Sequence, residues 1–222
     1  MKRIHILLAV LILLAVLPGA GLSVMGQSST PIFINEIHYD NDGTDAGEAI
    51  EVAGPAGTDL SGWSLVLYNG NGGAPYNTTA LSGTLPDQQE GYGTTVISYP
   101  VNGIQNGSPD GIALVNSAAV VVQFLSYEGT FAAVGGPADG MTSTDIGVSE
   151  SGDTAVGDSL QLTGSGTVYE DFAWAAAQPN TFGAVNTGQN FGAGGEASDP
   201  ILNEFVFNHT GTDTNEFVEI AG

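Results

Sequence analysis

The sequence predicts an all-β protein, and three observations support that prediction. Short segments rich in Val, Ile, Leu, Tyr and Phe recur along the chain, separated by Gly, Asn and Asp. Pairs such as Asn69-Gly70 and Asn106-Gly107 lie between them, and Asn-Gly pairs close β connections because they adopt positive φ at low cost. No convincing amphipathic helix is found, and the one short helical candidate, residues 173–178, ends at Pro179.

The apolar segments define the predicted strands. Each segment is short and is bounded by turn residues. The predicted strands are residues 32–39, 48–53, 63–68, 94–99, 111–115, 120–127, 159–163 and 168–174.

The faces of the first predicted strand are both partly apolar. Strict alternation places Ile32, Ile34, Glu36 and His38 on one face and Phe33, Asn35, Ile37 and Tyr39 on the other. Such a strand suits a two-layer sandwich or a barrel. In a later strand Trp63, Leu65 and Leu67 share a face, and we expect Trp174 to pack toward the same interior.

The start of the chain predicts secretion. The chain has 24 Asp and Glu against 2 Lys and Arg, a formal net charge of -22. Both cations, Lys2 and Arg3, precede an apolar run at residues 6–17. A basic start and a short apolar run are typical of a signal peptide, and the run is shorter than the roughly 20 residues that span a bilayer. We therefore predict a signal peptide at residues 1–26 and an extracellular protein with no membrane contact after cleavage.

The predicted mature chain contains no Lys or Arg, which excludes several classes of function. Nucleic-acid binding draws most of its affinity from Lys and Arg, so direct binding of DNA or RNA is not expected. Mechanisms based on arginine fingers, P-loop lysines or Schiff-base lysines are excluded by the same count. The absence of Cys excludes cysteine nucleophiles, thiolate zinc sites and disulfides.

The carboxylates of such a chain have no basic side chains as partners. Each must be solvated, hydrogen-bonded to backbone N–H or hydroxyl groups, or neutralised by a bound cation. One interpretation is a solvated acidic surface that keeps a secreted protein soluble. The other is a role for salt or Ca²⁺.

The loop at residues 40–48 is the best candidate for a calcium site. Asp40, Asp42, Asp45 and Glu48 surround Gly43, and Ca²⁺ prefers several oxygen ligands in a loop of this kind. The alternative is a polar loop that joins two strands. His38 precedes the loop without a second His or Cys nearby, so we interpret it as a strand histidine with a satisfied hydrogen bond.

Paired carboxylates such as Glu48 with Glu51, or Glu170 with Asp171, resemble the acids that glycosidases use. Neither pair has a sequence context that would raise one pKa. We therefore expect no enzymatic activity in this chain.

An internal repeat sets the predicted domain organisation. Residues 34–54 and 202–222 align at a fixed offset of 168 residues, with nine of 21 positions identical. The second copy ends where the first continues toward Trp63. We predict a complete β domain at residues 30–192, a Gly-rich acidic linker at 193–199, and the truncated start of a second copy at 200–222.

Several short motifs, in this order, resemble the lamin-tail domain family. They are residues 34–37 (INEI), 48–52 (EAIEV), 60–65 (LSGWSL), 110–115 (DGIALV), 121–127 (VVQFLSY), 159–162 (SLQL) and 181–189 (TFGAVNTGQ). One departure is Phe182, where the family usually has Pro between Thr and Gly. The resemblance implies an immunoglobulin-like β-sandwich that is generally non-catalytic and that in bacteria belongs to secreted multidomain proteins.

Two hypotheses for function follow. The first is a non-catalytic binding module that contacts a protein, a cell surface or a glycan through the loop at residues 68–76, where Tyr68, Asn71 and Tyr76 suit carbohydrate contact. The second is an accessory domain of an extracellular nuclease or phosphoesterase whose catalytic domain lies beyond Gly222. Both hypotheses expect further domains in cis.

Overall fold

The computed structural model describes residues 30–192, 201–206 and 217–221. The predicted signal peptide and linker lie outside these ranges. Within them the protein is all-β, as predicted, and one short 3-10 helix, Tyr169–Asp171, is its single helical element. No helix among the described residues is long and apolar enough to cross a membrane. The strands are β1 (Phe33–His38), β2 (Ala49–Pro55), β3 (Ser64–Asn69), β4 (Pro75–Ala80), β5 (Tyr92–Ser98), β6 (Asp110–Val115), β7 (Val121–Tyr127), β8 (Thr144–Asp145), β9 (Asp158–Gly166), β10 (Phe172–Pro179), β11 (Gln189–Phe191), β12 (Ile201–Val206) and β13 (Phe217–Ala221).

Two sheets form the domain. The first has the strand order β10-β9-β1-β2-β5, with β11 running parallel to the end of β9. The second has the order β4-β3-β6-β7-β8, in which β8 is parallel to β7. All other neighbours within these two sheets are antiparallel.

The main hydrophobic core contains residues from both sheets. Ile34 and Ile50 come from the first sheet, and Leu65, Ile112 and Leu125 come from the second. Trp63 and Trp174 are partly buried against this core, as predicted. A core shared by two facing sheets is the arrangement of a β-sandwich.

The strict alternation predicted for β1 is wrong after Ile34. The register with β2 shifts between Ile34 and Glu36, so Asn35 occupies a β-bulge. Ile37 therefore joins Ile34 in the main core, and Tyr39 joins them. Glu36 lies on the opposite, outer face of the first sheet.

Both sheets are also covered on their outer faces. On the second sheet Tyr68 and Phe124 pack with Phe131 of the β7–β8 connection. On the first sheet Phe33 and Leu162 pack with Phe191. Residues 180–191, named here the closing segment, cross this outer face after β10.

Three strands were not predicted, and the one predicted helical stretch is wrong. β4 has an exposed pattern and begins with Pro75, so it lacks apolar alternation. β8 and β11 are only two and three residues long. Residues 173–178 lie within β10, because pairing with β9 overrides the helix propensity of their alanines.

The second copy of the repeat forms a hairpin with the same register as the first. Glu204 pairs with Glu219 in β12–β13 as Glu36 pairs with Glu51 in β1–β2. Both hairpins have a register shift at the equivalent place, between Leu202 and Glu204 in the second. The repeat in the sequence therefore encodes a local hairpin geometry, including its irregularity.

Candidate functional site

The four residues of the predicted calcium loop do not share one centre. Asp42 is exposed, whereas the Glu48 carboxylate is buried and accepts hydrogen bonds from the backbone N–H of Gly103 at 2.7 Å and of Ile104 at 2.9 Å. Asp45 accepts from Asn106 Nδ2 at 3.1 Å. Among the residues that the structure describes, no group of three or more His, Asp or Glu side chains is arranged to hold a metal ion.

Asp45 interacts with two other members of that set, Asp40 and Glu48. Burial raises the pKa of the Asp40 carboxyl, and the neighbouring charge of Asp45 raises it further. The structure thus places Asp45 within electrostatic range of two other predicted ligands, and the calcium site stays a prediction.

His38 is buried and forms an ion pair, so its hydrogen bonds are satisfied within the fold. Its Nδ1 lies 2.9 Å from Glu150 Oε1, and its Nε2 lies 3.2 Å from Asn41 Oδ1 and 3.3 Å from the Ala46 carbonyl oxygen. The amide of Asn41 is oriented by its nitrogen, which donates to two backbone carbonyl oxygens. Both ring nitrogens therefore face acceptors, an arrangement that favours the imidazole with two hydrogens.

The pKa of His38 follows from the same geometry. Burial, the largest effect, lowers it, but the hydrogen bond and charge of Glu150 outweigh burial and the net shift is upward. Glu150 Oε2 also accepts from the backbone N–H of Tyr39 at 2.6 Å and of Asp40 at 3.0 Å. The carboxylate thus joins the β8–β9 connection to the end of β1.

In each of the two carboxylate pairs considered from the sequence, the two members accept hydrogen bonds from different donors. Glu48 accepts from the turn after β5, whereas Glu51 accepts from Asn35 and Gly183. Glu170 accepts from the N–H and hydroxyl of Thr30. Asp171 accepts from the backbone N–H groups of residues 167 and 168.

The three residues predicted to contact a glycan have different environments. Tyr68 is fully buried, and its hydroxyl accepts from the backbone N–H of Ala138 at 3.0 Å, so it offers no ring face to a ligand. Tyr76 is partly buried, and its hydroxyl accepts from the Gln105 N–H at 2.8 Å. Asn71 is exposed. The structure therefore leaves Asn71 available and makes Tyr76 a support for Gln105.

A polar groove of about 710 Å³ contains Asn71. Two loops form its lining, residues 69–71 after β3 and residues 105–110 before β6. Four of its side chains are amides, and together they offer hydrogen-bond donors and acceptors without net charge. We name this feature the amide groove: Asn69, Asn71, Gln105 and Asn106.

The walls of the amide groove are fixed by contacts between the two loops. Asp110 is buried, and its oxygens accept from the N–H of Gly70 at 2.9 Å and of Gly107 at 2.8 Å. Asn69 Nδ2 donates to Gln105 Oε1 at 2.6 Å. A Cβ at Gly70 would overlap the Pro109 carbonyl oxygen, so this close approach requires glycine.

The hydroxyl groups of two tyrosines form hydrogen bonds with the backbone of Gln105. Its N–H donates to the Tyr76 hydroxyl, and its carbonyl oxygen accepts from the buried Tyr127 hydroxyl. Burial raises the pKa values of both tyrosines, so both hydroxyls keep their hydrogens. Among the described residues, Gln105 Nε2 and the Asn71 side chain take part in no hydrogen bond, which leaves them for a ligand.

A second groove, of about 490 Å³, is apolar. It is lined by residues 30–32, Trp63, Asn116 and residues 120–122. Val120 is 55 % exposed there. The groove explains why Trp63 is only partly buried.

Comparison of the chain with protein-family models, with curated proteins and with solved structures found no match. The lamin-tail resemblance therefore rests on the sequence motifs alone.

Sequence reasoning identified Asn71 but missed the other residues of the amide groove. Asn69 and Asn106, like Asn71, each precede a glycine, and Asn-Gly pairs predict turns. The available signal was that three such pairs fall at two loops next to β3 and β6. It identifies a shared site only once the pairing of those two strands is known.

Proposed function

We propose that residues 30–192 form a non-catalytic binding module of a secreted acidic protein, and that the amide groove binds a neutral glycan. The observation that supports this is the groove itself, in which two loops present uncharged donors and acceptors on a fixed backbone. Sugar hydroxyls both donate and accept, so amide side chains suit them. The groove is polar and open, as sites for hydrated ligands often are.

The chemistry of the groove supports binding rather than catalysis. Its single carboxylate, Asp110, has both oxygens engaged by backbone N–H groups, so it is poorly placed to act as a general acid or base. Ser108 donates to the Glu128 carbonyl oxygen. Neither side chain has a histidine among its hydrogen-bond partners in the described residues.

The wider setting of this module is also part of the proposal. The basic and apolar start of the chain supports secretion, and the ordered motifs support a lamin-tail-like, immunoglobulin-type sandwich. The missing Lys and Arg argue against anionic glycans, since nothing in the mature chain would neutralise sulfate or uronate groups.

The test is binding of the full chain to immobilised neutral and anionic polysaccharides. Asn71→Ala and Gln105→Ala should each weaken binding to a neutral polysaccharide about two- to tenfold, because each loses a hydrogen bond worth about 0.5–1.5 kcal/mol. Asn190→Ala is the matched control, since Asn190 is an exposed amide on β11 in the other sheet. Equal binding by all variants, or binding to anionic polysaccharides alone, would refute the amide groove as the site.

A further inference from the structure

Two buried glutamates face each other on the outer face of the first sheet. Glu36 of β1 and Glu51 of β2 are cross-strand partners, and both are 0 % exposed. The closing segment covers them. Neither has a cationic partner among the described residues, because the nearest histidine, His38, is paired with Glu150.

Both carboxyl groups bind the closing segment. Glu36 Oε1 accepts from Ser159 Oγ at 2.5 Å and from the Thr181 N–H at 2.8 Å. Glu51 Oε1 accepts from Asn35 Nδ2 at 3.0 Å, and its Oε2 accepts from the Gly183 N–H at 2.7 Å. The two glutamates thus anchor the start of the segment at residues 181 and 183.

The hydroxyl of Thr181 is surrounded by oxygen atoms. Its Oγ1 lies 3.0 Å from Glu36 Oε2, 3.1 Å from Asn186 Oδ1 and 3.2 Å from Gln161 Oε1. A hydroxyl has a single hydrogen to donate and can accept two hydrogen bonds. If all three neighbours were acceptors, two of these contacts would bring oxygen atoms together without a hydrogen.

The two amide groups cannot supply the missing hydrogen, because backbone carbonyls fix their orientation. Asn186 Nδ2 donates to the carbonyl oxygens of Asn35 and Leu162, both at 3.0 Å. Gln161 Nε2 donates to the carbonyl oxygen of Pro179 at 2.8 Å. Reversing either amide would set its oxygen against a backbone carbonyl oxygen. Only the carboxyl of Glu36 remains as a donor.

We propose that Glu36 is protonated in the folded domain and that its Oε2–H donates to Thr181 Oγ1, so that a single proton fastens the closing segment to the sheet. Thr181 then donates its own hydrogen to Gln161 or Asn186. Glu36 Oε1 remains the acceptor for Ser159 and the Thr181 N–H. The amide oxygen that Thr181 does not reach keeps a donor elsewhere, Asn35 Nδ2 for Asn186 or Gln178 Nε2 for Gln161.

The charged surroundings agree with this assignment. Burial raises the pKa of Glu36, and the charge of Glu150 in the β8–β9 connection raises it further, against hydrogen bonds that lower it. Burial raises the pKa of Glu51 to about 8, against hydrogen bonds from Asn35 and Gly183 that lower it. The partners from β9 and the closing segment are Ser159, Gln161 and Thr181, and none of them titrates near neutral pH.

The sign of the pH effect follows. The folded pKa of each glutamate lies above its unfolded pKa. At pH values between these two pKa values, the folded state therefore binds more protons than the unfolded state. The attachment of the closing segment is complete below the unfolded pKa and weakens as the pH rises through the folded pKa. The segment packs its own Phe191 near Phe33 in one apolar cluster, so its opening at alkaline pH would expose this cluster.

The test is hydrogen exchange at the backbone amides of Thr181 and Gly183 in the full chain between pH 5 and 9. After correction for intrinsic exchange, wild-type protection should fall with rising pH, by up to roughly tenfold per pH unit for one proton. Glu36→Gln carries an NH₂ group in place of the proposed O–H and should make the dependence at Thr181 shallower, while the part that comes from Glu51 remains. Glu90→Gln, at an exposed glutamate, should leave it unchanged.

A carbon-13 NMR titration of the glutamate carboxyl groups gives a second measurement that needs no folded variant. The account expects the Glu36 carboxyl carbon to report the protonated form at pH 6 in the wild type. An ionised Glu36 at pH 6, or a pH dependence of Thr181 protection as steep in Glu36→Gln as in the wild type, would overturn the proposal.

Discussion

Asp110 at the amide groove and Glu36 under the closing segment are both buried carboxyl groups without a cationic partner. Different hydrogen-bond partners accommodate them. Asp110 lies between two loops whose backbone N–H groups point at its two oxygens. Glu36 lies on a sheet face beside the Thr181 hydroxyl, which has a single hydrogen for three oxygen neighbours. Burial raises the pKa of Asp110, but its two backbone donors favour the ionised form, whereas we assign a proton to Glu36.

The difference shows how a protein without Lys or Arg among its described residues accommodates buried acids. Loops can wrap around a carboxylate, as residues 103–104 do around Glu48. Strands cannot, because their N–H groups are already used between strands. Glu150 combines both solutions, with two backbone donors and the imidazolium of His38.

The largest effect is expected at Glu150. Glu150→Ala leaves the charged His38 ring and two backbone N–H groups buried without their acceptor, which should cost about 3–5 kcal/mol of unfolding free energy. Urea denaturation at pH 6 measures it. Asp153→Ala, at an exposed residue of the same connection, should change stability by less than about 0.5 kcal/mol. A similar small loss in both variants would contradict the ion pair.

The pH dependence of stability should be the next largest effect. The folded pKa values of Glu36, Glu51 and His38 are raised, so their stabilising contributions are present at low pH and are lost as the pH rises. A shift of one pKa unit corresponds to about 1.4 kcal/mol, so unfolding free energy should fall by several kcal/mol between pH 5 and 8.5.

Urea denaturation of the full chain at several pH values, in high salt to screen the net charge, measures that fall. The Glu36→Gln variant should show a shallower slope than the wild type. Stability that stays constant or rises between pH 5 and 8.5 would show that these groups ionise normally in the folded state.

Asp110→Asn should have a smaller effect. Here the loss of a carboxylate should lower stability, whereas at Glu36 it is the formation of one that does so. The amide can offer one oxygen to Gly70 or Gly107 but turns its NH₂ toward the other N–H, so the variant should lose about 1–3 kcal/mol. Asp42→Asn, at an exposed acid, is the matched control and should be neutral. Wild-type stability in Asp110→Asn would mean that the two loops are not joined through this carboxylate.

Tyr76→Phe should have the smallest effect on stability, about 1 kcal/mol, because it removes one acceptor from the N–H of Gln105. Since we assign Tyr76 to holding Gln105, weaker glycan binding should accompany the stability loss. Weaker binding at unchanged stability would instead make Tyr76 a direct ligand contact, as the sequence alone suggested.

Much of the fold was predictable because local signals encode it. Alternating apolar residues identified most strands, and the repeat identified the hairpin of β1 and β2. The bulge at Asn35 was not predictable, since one extra residue reverses the faces without changing the composition. β4 was missed because an edge strand buries little and needs no apolar pattern.

The sites were less predictable because their partners are distant in sequence. Glu48 accepts hydrogen bonds from the N–H groups of residues 103 and 104. Glu36 accepts one from the N–H of Thr181, which is 145 residues away in the sequence. The acidic loop at residues 40–48 suggested a cation site because the carboxylates are evident from the sequence. Their hydrogen-bond donors are not, since they lie elsewhere in the chain. The statement that each acid needs hydrogen-bond donors, solvent or a cation was nevertheless available from composition alone.

Replacing an acid by its amide at Glu36 and at Asp110, with both variants and the wild type unfolded in urea at pH 8, tests the central difference most directly. The account predicts opposite signs, with Glu36→Gln more stable than the wild type because no buried charge must form, and Asp110→Asn less stable by about 1–3 kcal/mol. Destabilisation of both variants by similar amounts would contradict it, since Glu36 would then be a carboxylate like Asp110.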